Sequence, residues 1–499
     1  MTLPRIATQP ARQYAQLNAA THGLILLPAS DALPLDLPQR AQWLAVLQRK
    51  RMKPKELAKT PLALDLPDGR RLALLMADRK LSRFECLTRL RKALMLLLEE
   101  TPRRLAIWVA AGQGMNDAER EAAYIAQING VPLPARKKKA ATALAQIDLF
   151  SALPSSALAP VCALARANLL ARELTALAPN ELTPASYRKR LRSEAKDAGL
   201  AIEEFDFRRL KKIGAGAFCA VAQGSHHEDA AIVHLSWRPR LKNASATKTV
   251  ALVGKGICFD TGGHNLKPAR YMAGMHEDMN GSAVALALTL AAAELKLPVA
   301  IDCWLAIAHN HLSPAAYKQN DIVAALDGTS IEIVHTDAEG RMVLADTLLM
   351  ATGERGKGAS KSKAKPDLVI DFATLTGSMH VALGARYSGV FASSEALGAM
   401  AVAAGQASGE RVCVFPLDED YDPALDSKVA DVKQCTLEGE ADHILAARFL
   451  QRFTKARPWL HVDLSASSCS GGLGAAASDI TGFGVAWGLT LLTQWLAQA

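Results

Sequence analysis

The chain contains no Cys-x-x-Cys pair. Its eight cysteines stand singly at positions 86, 162, 219, 258, 303, 413, 435 and 469, a scatter that supplies neither a thiolate zinc site nor a disulfide framework. A reducing compartment fits this usage, and cytoplasmic localisation is the expectation. Nor does any apolar run approach the roughly 18 residues that crossing a bilayer takes. The opening MTLPRIATQPARQY lacks a basic start followed by an apolar core, so neither secretion nor membrane insertion is expected. No Gly-x-Ser-x-Gly elbow occurs. The Gly-Lys pairs at 254–255 and 356–357 lack the spacing and the following Ser or Thr of a phosphate loop, which removes the serine hydrolase and P-loop readings. No repeat of fixed period is found.

What is present is a globular composition: 499 residues, 50% hydrophobic, enough for two or three domains with sizeable cores. The formal net charge is +9, which fits either a basic soluble surface or a polyanion partner such as nucleic acid.

Residues 1–165 read as a smaller N-terminal α/β domain, with apolar stretches at 72–77 and 104–112 alternating with helical patterns such as Arg89–Glu100. The basic stretch Ala135–Lys139 and the proline-interrupted, Ala-rich segment Ala152–Ala165 read as a linker. From 166 to 499 short apolar runs (231–237, 249–259, 299–308, 331–334, 367–373, 460–465) alternate with helical patterns at Ser282–Glu294, Val343–Thr352 and Ala441–Thr454. That order implies a larger C-terminal α/β domain, its mostly parallel central sheet flanked by helices. The polar insertion 354–365, ERGKGASKSKAK, reads as a surface loop with a polyanion contact as the alternative. GAGAFCAV at 214–221 looks like a glycine-rich kinase loop, but the companion kinase motifs are missing, and it is read as a turn between two strands.

The chemistry concentrates in two places. VGKGICFDTGGHNLKP (253–268), followed by HEDMNG (276–281), sets Lys255 and Asp260 at the end of a buried strand, where open α/β sheets bind ligands. HTDAEGRMVLAD (335–346) follows another strand-like run, and Asp337, Glu339 and Arg341 alternate there along what reads as an extended or turning segment facing one way. One Lys and one Arg cannot balance Asp260, Asp278, Asp337 and Glu339 together, and divalent cations resolve the excess most simply. Paired cations need bridging carboxylates, and an oxygen-rich set favours two metals over a histidine-rich mononuclear zinc. His309-Asn310-His311 has no matching ligand partners and reads as a loop with exposed imidazoles.

These blocks, with DFATLTG (371–377), ERV..FPL (410–417), VADVK (429–433) and TGFGV (481–485), resemble the leucine aminopeptidase family over nearly everything after residue 165. The resemblance implies a cytosolic metalloaminopeptidase that removes N-terminal residues, leucine or similar ones preferred, through a metal-bridging hydroxide. It implies one ion on Lys255, Asp260, Asp278 and Glu339, and a second on Asp260, Asp337 and Glu339, the ions being Zn or Mn, with Mg and Co as alternatives. Lys255 must be neutral to act as a ligand, which burial and an adjacent dication favour. Lys267 would polarise the scissile carbonyl, and Arg341 would hold a bicarbonate acting as general base. Met275, Thr374, Leu375 and Gly377 would contact substrate. The family also implies a homohexamer, and a DNA-binding regulatory role is the alternative reading. Three positions depart from the family pattern: His335 replaces Asn, Thr261 replaces Ser, and His309 replaces Glu.

Overall fold

A computed structural model of the chain describes residues 1–9, 20–78, 80–110, 115–139, 141–151, 153–239, 248–354 and 365–498. The insertion read as a basic loop therefore lies, but for its two end positions, outside the described residues. Contacts divide the chain into two units, Met1–Leu169 with Gln406–Glu410 and Cys469–Thr481, and Leu170–Gly405 with Arg411–Ser468 and Gly482–Ala499. The stretch read as a linker is helical in its second half, because one helix runs over Ala159–Ala176. Pro160 stands in its first turn, where a missing N–H removes no helical hydrogen bond.

In the first unit β1 (Arg5–Gln9), β2 (His22–Pro28), β3 (Leu62–Asp65), β4 (Arg71–Ala77), β5 (Arg104–Val109) and β6 (Gln146–Phe150) form a sheet ordered β1-β6-β5-β2-β4-β3. Only β3 runs antiparallel to its neighbour. Leu24 and Leu26 of β2 enter one core cluster while Ile25 and Leu27 enter another, so this sheet is buried on both faces.

The second unit holds β7 (Ala201–Asp206), β8 (Ala231–Trp237), β9 (Thr249–Asp260), β10 (Ala300–Asn310), β11 (Ile322–Ala324), β12 (Ser330–Glu332), β13 (Leu368–Ala373), β14 (Ser388–Ala392), β15 (Val412–Val414), β16 (Val432–Lys433) and β17 (Trp459–Asp463). Eight of these form one sheet, β15-β14-β17-β13-β9-β10-β8-β7, and β11-β12-β16 form a small second one. The centre is parallel: β9 pairs in parallel with both β10 and β13, and β13 with β17. In the large sheet antiparallel pairing is confined to β7–β8, β8–β10 and β14–β17, and in the small one β11 runs antiparallel to β12.

β9 is apolar almost throughout and buried along nearly its whole length, as a strand covered on both faces must be. The helix Asn280–Glu294 packs on it at very close range. A Cβ on Gly254 would lie 2.5 Å from Ser282 Cα, and one on Gly281 would lie 2.1 Å from the Phe372 carbonyl oxygen. Only glycine permits that approach, which brings the turn preceding the helix, Met275–Met279, up to the ends of β9 and β13.

Three readings are corrected. Gly216–Ala222 of GAGAFCAV is a helix, not a turn, and the distant carboxylate of Asp346 accepts the Phe218 N–H at 2.9 Å. Six of its seven residues are buried, which leaves no amphipathic period to read. His309 lies in β10, one residue before its end, rather than on an exposed loop, and its ring stacks on that of His311, centroids 4.4 Å apart and planes within 12°. Glu339 and Arg341 do not alternate along an extended segment, because Glu339 opens the helix Glu339–Ala351.

Candidate metal centre

Six sequence-selected groups converge at the carboxyl ends of β9 and β13. Lys255, within β9, points its Nζ at Asp278 Oδ2 (2.8 Å), Glu339 Oε1 (2.8 Å) and the Thr374 carbonyl oxygen (3.0 Å). Lys267, on the loop after β9, reaches Asp260 Oδ2 at 3.0 Å and Asp337 Oδ1 at 2.6 Å. One oxygen from each of Asp260, Asp337 and Glu339 lies within 4.8 Å of the others, the one such group among the described residues. Lys255, Asp260, Asp278 and Glu339 are all buried, and Asp337 is the most open carboxylate, its side chain 25% exposed.

Polar contacts fix each ligand loop. Asp260 Oδ1 accepts the Gly262 N–H and the Asn310 side-chain amide, both at 2.8 Å, and Asn310 also donates to the Thr336 carbonyl oxygen at 3.1 Å. Asn265 and Thr336 tie the two loops to each other: Asn265 Oδ1 accepts the Thr336 N–H at 2.8 Å, and Thr336 Oγ1 accepts the Asn265 N–H at 2.8 Å. The Gln434 side chain accepts N–H groups from Val334 and His335 at 2.7 and 3.1 Å, and donates to the Ala338 carbonyl at 3.2 Å. His335 Nδ1 accepts the Asp337 N–H at 3.3 Å, so this departure from the family pattern supports the turn that carries a candidate ligand. Thr374 Oγ1 donates to Asp278 Oδ1 at 2.6 Å. Asp463, at the end of β17, accepts the Leu375 N–H at 3.1 Å and the Thr376 hydroxyl at 2.6 Å.

Crowding of like charge shows in the acidities. Burial, opposed by Lys255, pushes Asp278 up to about 7. Burial, then the charges of Asp260 and Glu339, push Asp337 up to about 8. Glu339 is raised by burial and by Asp260. Burial alone would lower Lys255, but Asp278, Glu339 and Asp260 outweigh it and raise the ammonium above its ordinary range. Four carboxylates against two ammonium groups leave two negative charges over. Glu339 Oε2 is buried with no hydrogen-bond partner among the described residues. A hard or borderline dication suits that donor set, since it accepts carboxylate oxygens and cancels the excess charge.

The remaining sequence-selected residues stand as follows. Met275 is half-buried in the same turn as Asp278. Thr374 and Leu375 are half-buried just beyond β13, and Gly377 is exposed at the start of the helix Gly377–Leu383. Arg341 is buried but turned to other partners: Nη1 donates to the Gln434 carbonyl oxygen at 2.9 Å and Nη2 to Asp442 Oδ1 at 2.7 Å. Asn310, Gln434, Thr336, Asp442 and Asp463 escaped sequence reasoning as contributors. Asn310 carried the only usable signal, its place at the end of a predicted strand next to β9.

Known proteins resemble this chain in sequence and fold. Residues 169–488 match the model of the cytosol aminopeptidase family, catalytic domain. A probable cytosol aminopeptidase of Afipia carboxidovorans is 40% identical over 331 residues, 66% of this chain and 63% of the relative, so the match spans somewhat less than two thirds of that relative's length. The bottromycin maturation enzyme BotP, solved in complex with Mn, superposes with a TM-score of 0.81 at 29% identity, covering 95% of this chain and 99% of BotP. The apo leucyl aminopeptidase of Trypanosoma cruzi gives 0.82 at 25% identity, covering 98% and 96%. With the family's catalytic-domain match covering well over half of its length, the chain belongs to the cytosol aminopeptidase family.

Proposed function

We propose that this protein is a metal-dependent aminopeptidase that hydrolyses the N-terminal peptide bond of peptides, with leucine or a similar residue preferred at the first position. The observation that carries the reading is the convergence of Asp260, Asp337 and Glu339 oxygens within 4.8 Å around a buried, unpaired Glu339 Oε2.

In this reading Lys255, Asp260, Asp278 and Glu339 hold one divalent ion, and Asp260, Asp337 and Glu339 hold the other, with Zn or Mn as the leading candidates. When bound, the ions supply Lewis acidity to the scissile carbonyl and acidify a water that becomes the nucleophile. For its Nζ to serve as a ligand, Lys255 would have to lose to solvent the proton that its ammonium now donates toward Asp278 and Glu339. Asp278 is kept in place throughout by the Thr374 hydroxyl. Lys267 lies between Asp260 and Asp337, and with those carboxylates serving as ligands its ammonium would be available to stabilise the oxyanion that develops on the substrate carbonyl. Thr374, Leu375 and Gly377 flank the cluster at the end of β13, and Asp463 fixes the backbone there for peptide contacts. Met275 would line the pocket for the first side chain.

The decisive assay is hydrolysis of leucine p-nitroanilide and related aminoacyl anilides by chelator-stripped protein with Mn or Zn restored. Metal-dependent turnover with about two ions bound per chain supports the reading. Absence of turnover across the series, or a chain that takes up no metal, sinks it. A cytoplasmic location and a hexameric state belong to the same proposal, and sedimentation velocity tests the latter. A nucleic-acid role rests on the net charge of +9, the basic insertion 354–365 and the family resemblance, and unchanged gel mobility of duplex DNA at low salt would remove it.

A further inference from the structure

The resemblance assigns Arg341 a bicarbonate, and the guanidinium found here does not fit one. A planar carbonate is gripped by two parallel N–H donors on one edge of the arginine fork. Both terminal nitrogens of Arg341 are engaged, Nη1 with the Gln434 carbonyl and Nη2 with Asp442. Nη1 and Nη2 each keep a second N–H, and Nε is buried with no hydrogen-bond partner among the described residues, so what closes this seat to a second anion is the Asp442 carboxylate and not a lack of donors. Charge argues the same way: Arg341 and Asp442 are a one-to-one pair at 2.7 Å, so a second anion would meet a neutralised cation and a like-charged neighbour. Asp442 is in place for this because it opens the helix Asp442–Gln451, where an acidic side chain is favoured, directly after Ala441 in the left-handed conformation.

Resting on the aminopeptidase reading, we infer that Asp442 occupies the anion seat on Arg341, a built-in carboxylate where the family pattern implies an exogenous one, and that turnover does not draw on bicarbonate. Asp442 is in this sense a positioning residue, holding the guanidinium and its local charge balance from 101 positions away. The inference predicts that removing the carboxylate reopens the seat.

The test compares the wild-type holoenzyme with the Asp442→Ala and Asp442→Asn variants in carbonate-free buffer, then with added bicarbonate at matched ionic strength. Wild-type rate should change by less than about twofold, while Asp442→Ala should lose roughly tenfold or more and regain it saturably with bicarbonate. Thermal melting supplies a readout apart from activity: bicarbonate should raise the Tm of Asp442→Ala but leave that of the wild type unmoved. Asp442→Asn keeps an acceptor for Nη2 and guards against a variant that fails to fold. The inference is overturned if bicarbonate accelerates the wild type severalfold, or if neither variant responds to it in rate or in melting. Loss of metal-dependent turnover in the wild type would instead count against the aminopeptidase reading, and the melting comparison would still report on the Arg341 seat.

Discussion

Gly340 stands where the helix Glu339–Ala351 meets Lys255. A Cβ there would lie 2.7 Å from Lys255 Cε and 2.8 Å from its Nζ. Gly340→Ala should therefore displace the one lysine among the candidate ligands, at a cost of about 1–3 kcal/mol in stability. Metal content of the purified variant checks this, and full occupancy would show that Lys255 has more room than the contact implies. Asn310 makes a complementary prediction. Its amide is one of two donors to Asp260 Oδ1, and Asn310→Ala should weaken metal affinity by roughly 10- to 100-fold while the chain stays folded, as direct metal titration would reveal. Both residues show where sequence reasoning ends. The ligands were legible because acidic side chains at strand ends require an explanation, whereas Gln434 and Asp442 act on Arg341 across 93 and 101 positions and carry no local signature.

Elements with a strong period or an unbroken apolar run were legible. The expected strand at 249–259 appears as β9, Thr249–Asp260, and the helix read at Ser282–Glu294 as Asn280–Glu294. The short helix Gly216–Ala222 was lost because nearly all of it is buried and its N–H partner is Asp346, more than a hundred residues away. The end of β10 was misjudged for a related reason, since two histidines around one asparagine look hydrophilic in sequence, yet the two rings stack and are both half-buried. Burial holds the His309 imidazole down at about 3 from its ordinary 6.5, with His311 and His226 adding to the shift. A base depressed in the folded state binds fewer protons there than in the unfolded chain, so its contribution is present above pH 6.5 and is lost as pH falls toward 3. Across that window the loss amounts to at most roughly 5 kcal/mol. Denaturant titrations at pH 7 and pH 5 should show a steeper decline for the wild type than for His309→Gln, and equal declines would remove His309 as the cause.

At the scale of the whole molecule, the parallel centre and its flanking helices followed from the alternation of apolar runs with helical patterns. Several features could not be read that way: the small three-stranded sheet, the antiparallel outer strands, and the return of Gln406–Glu410 and Cys469–Thr481 to the first unit. Apart from the local β11–β12 hairpin, they depend on pairings between residues distant in sequence, which local propensity does not record. The lysines and carboxylates of the cluster, Lys255 to Glu339, come from β9, its following loop, a turn and a helix start, and are buttressed by Thr374 and Asp463 from β13 and β17. No early folding fragment can own such a cluster. During refolding from denaturant, uptake of Mn should trail the recovery of far-ultraviolet circular dichroism, and simultaneous recovery would mean that a partial structure already carries the ligands. For a nascent chain the corollary is protective: until the central strands have docked, the polypeptide has no organised carboxylate cluster from which the proposed peptidase activity could act on its neighbours.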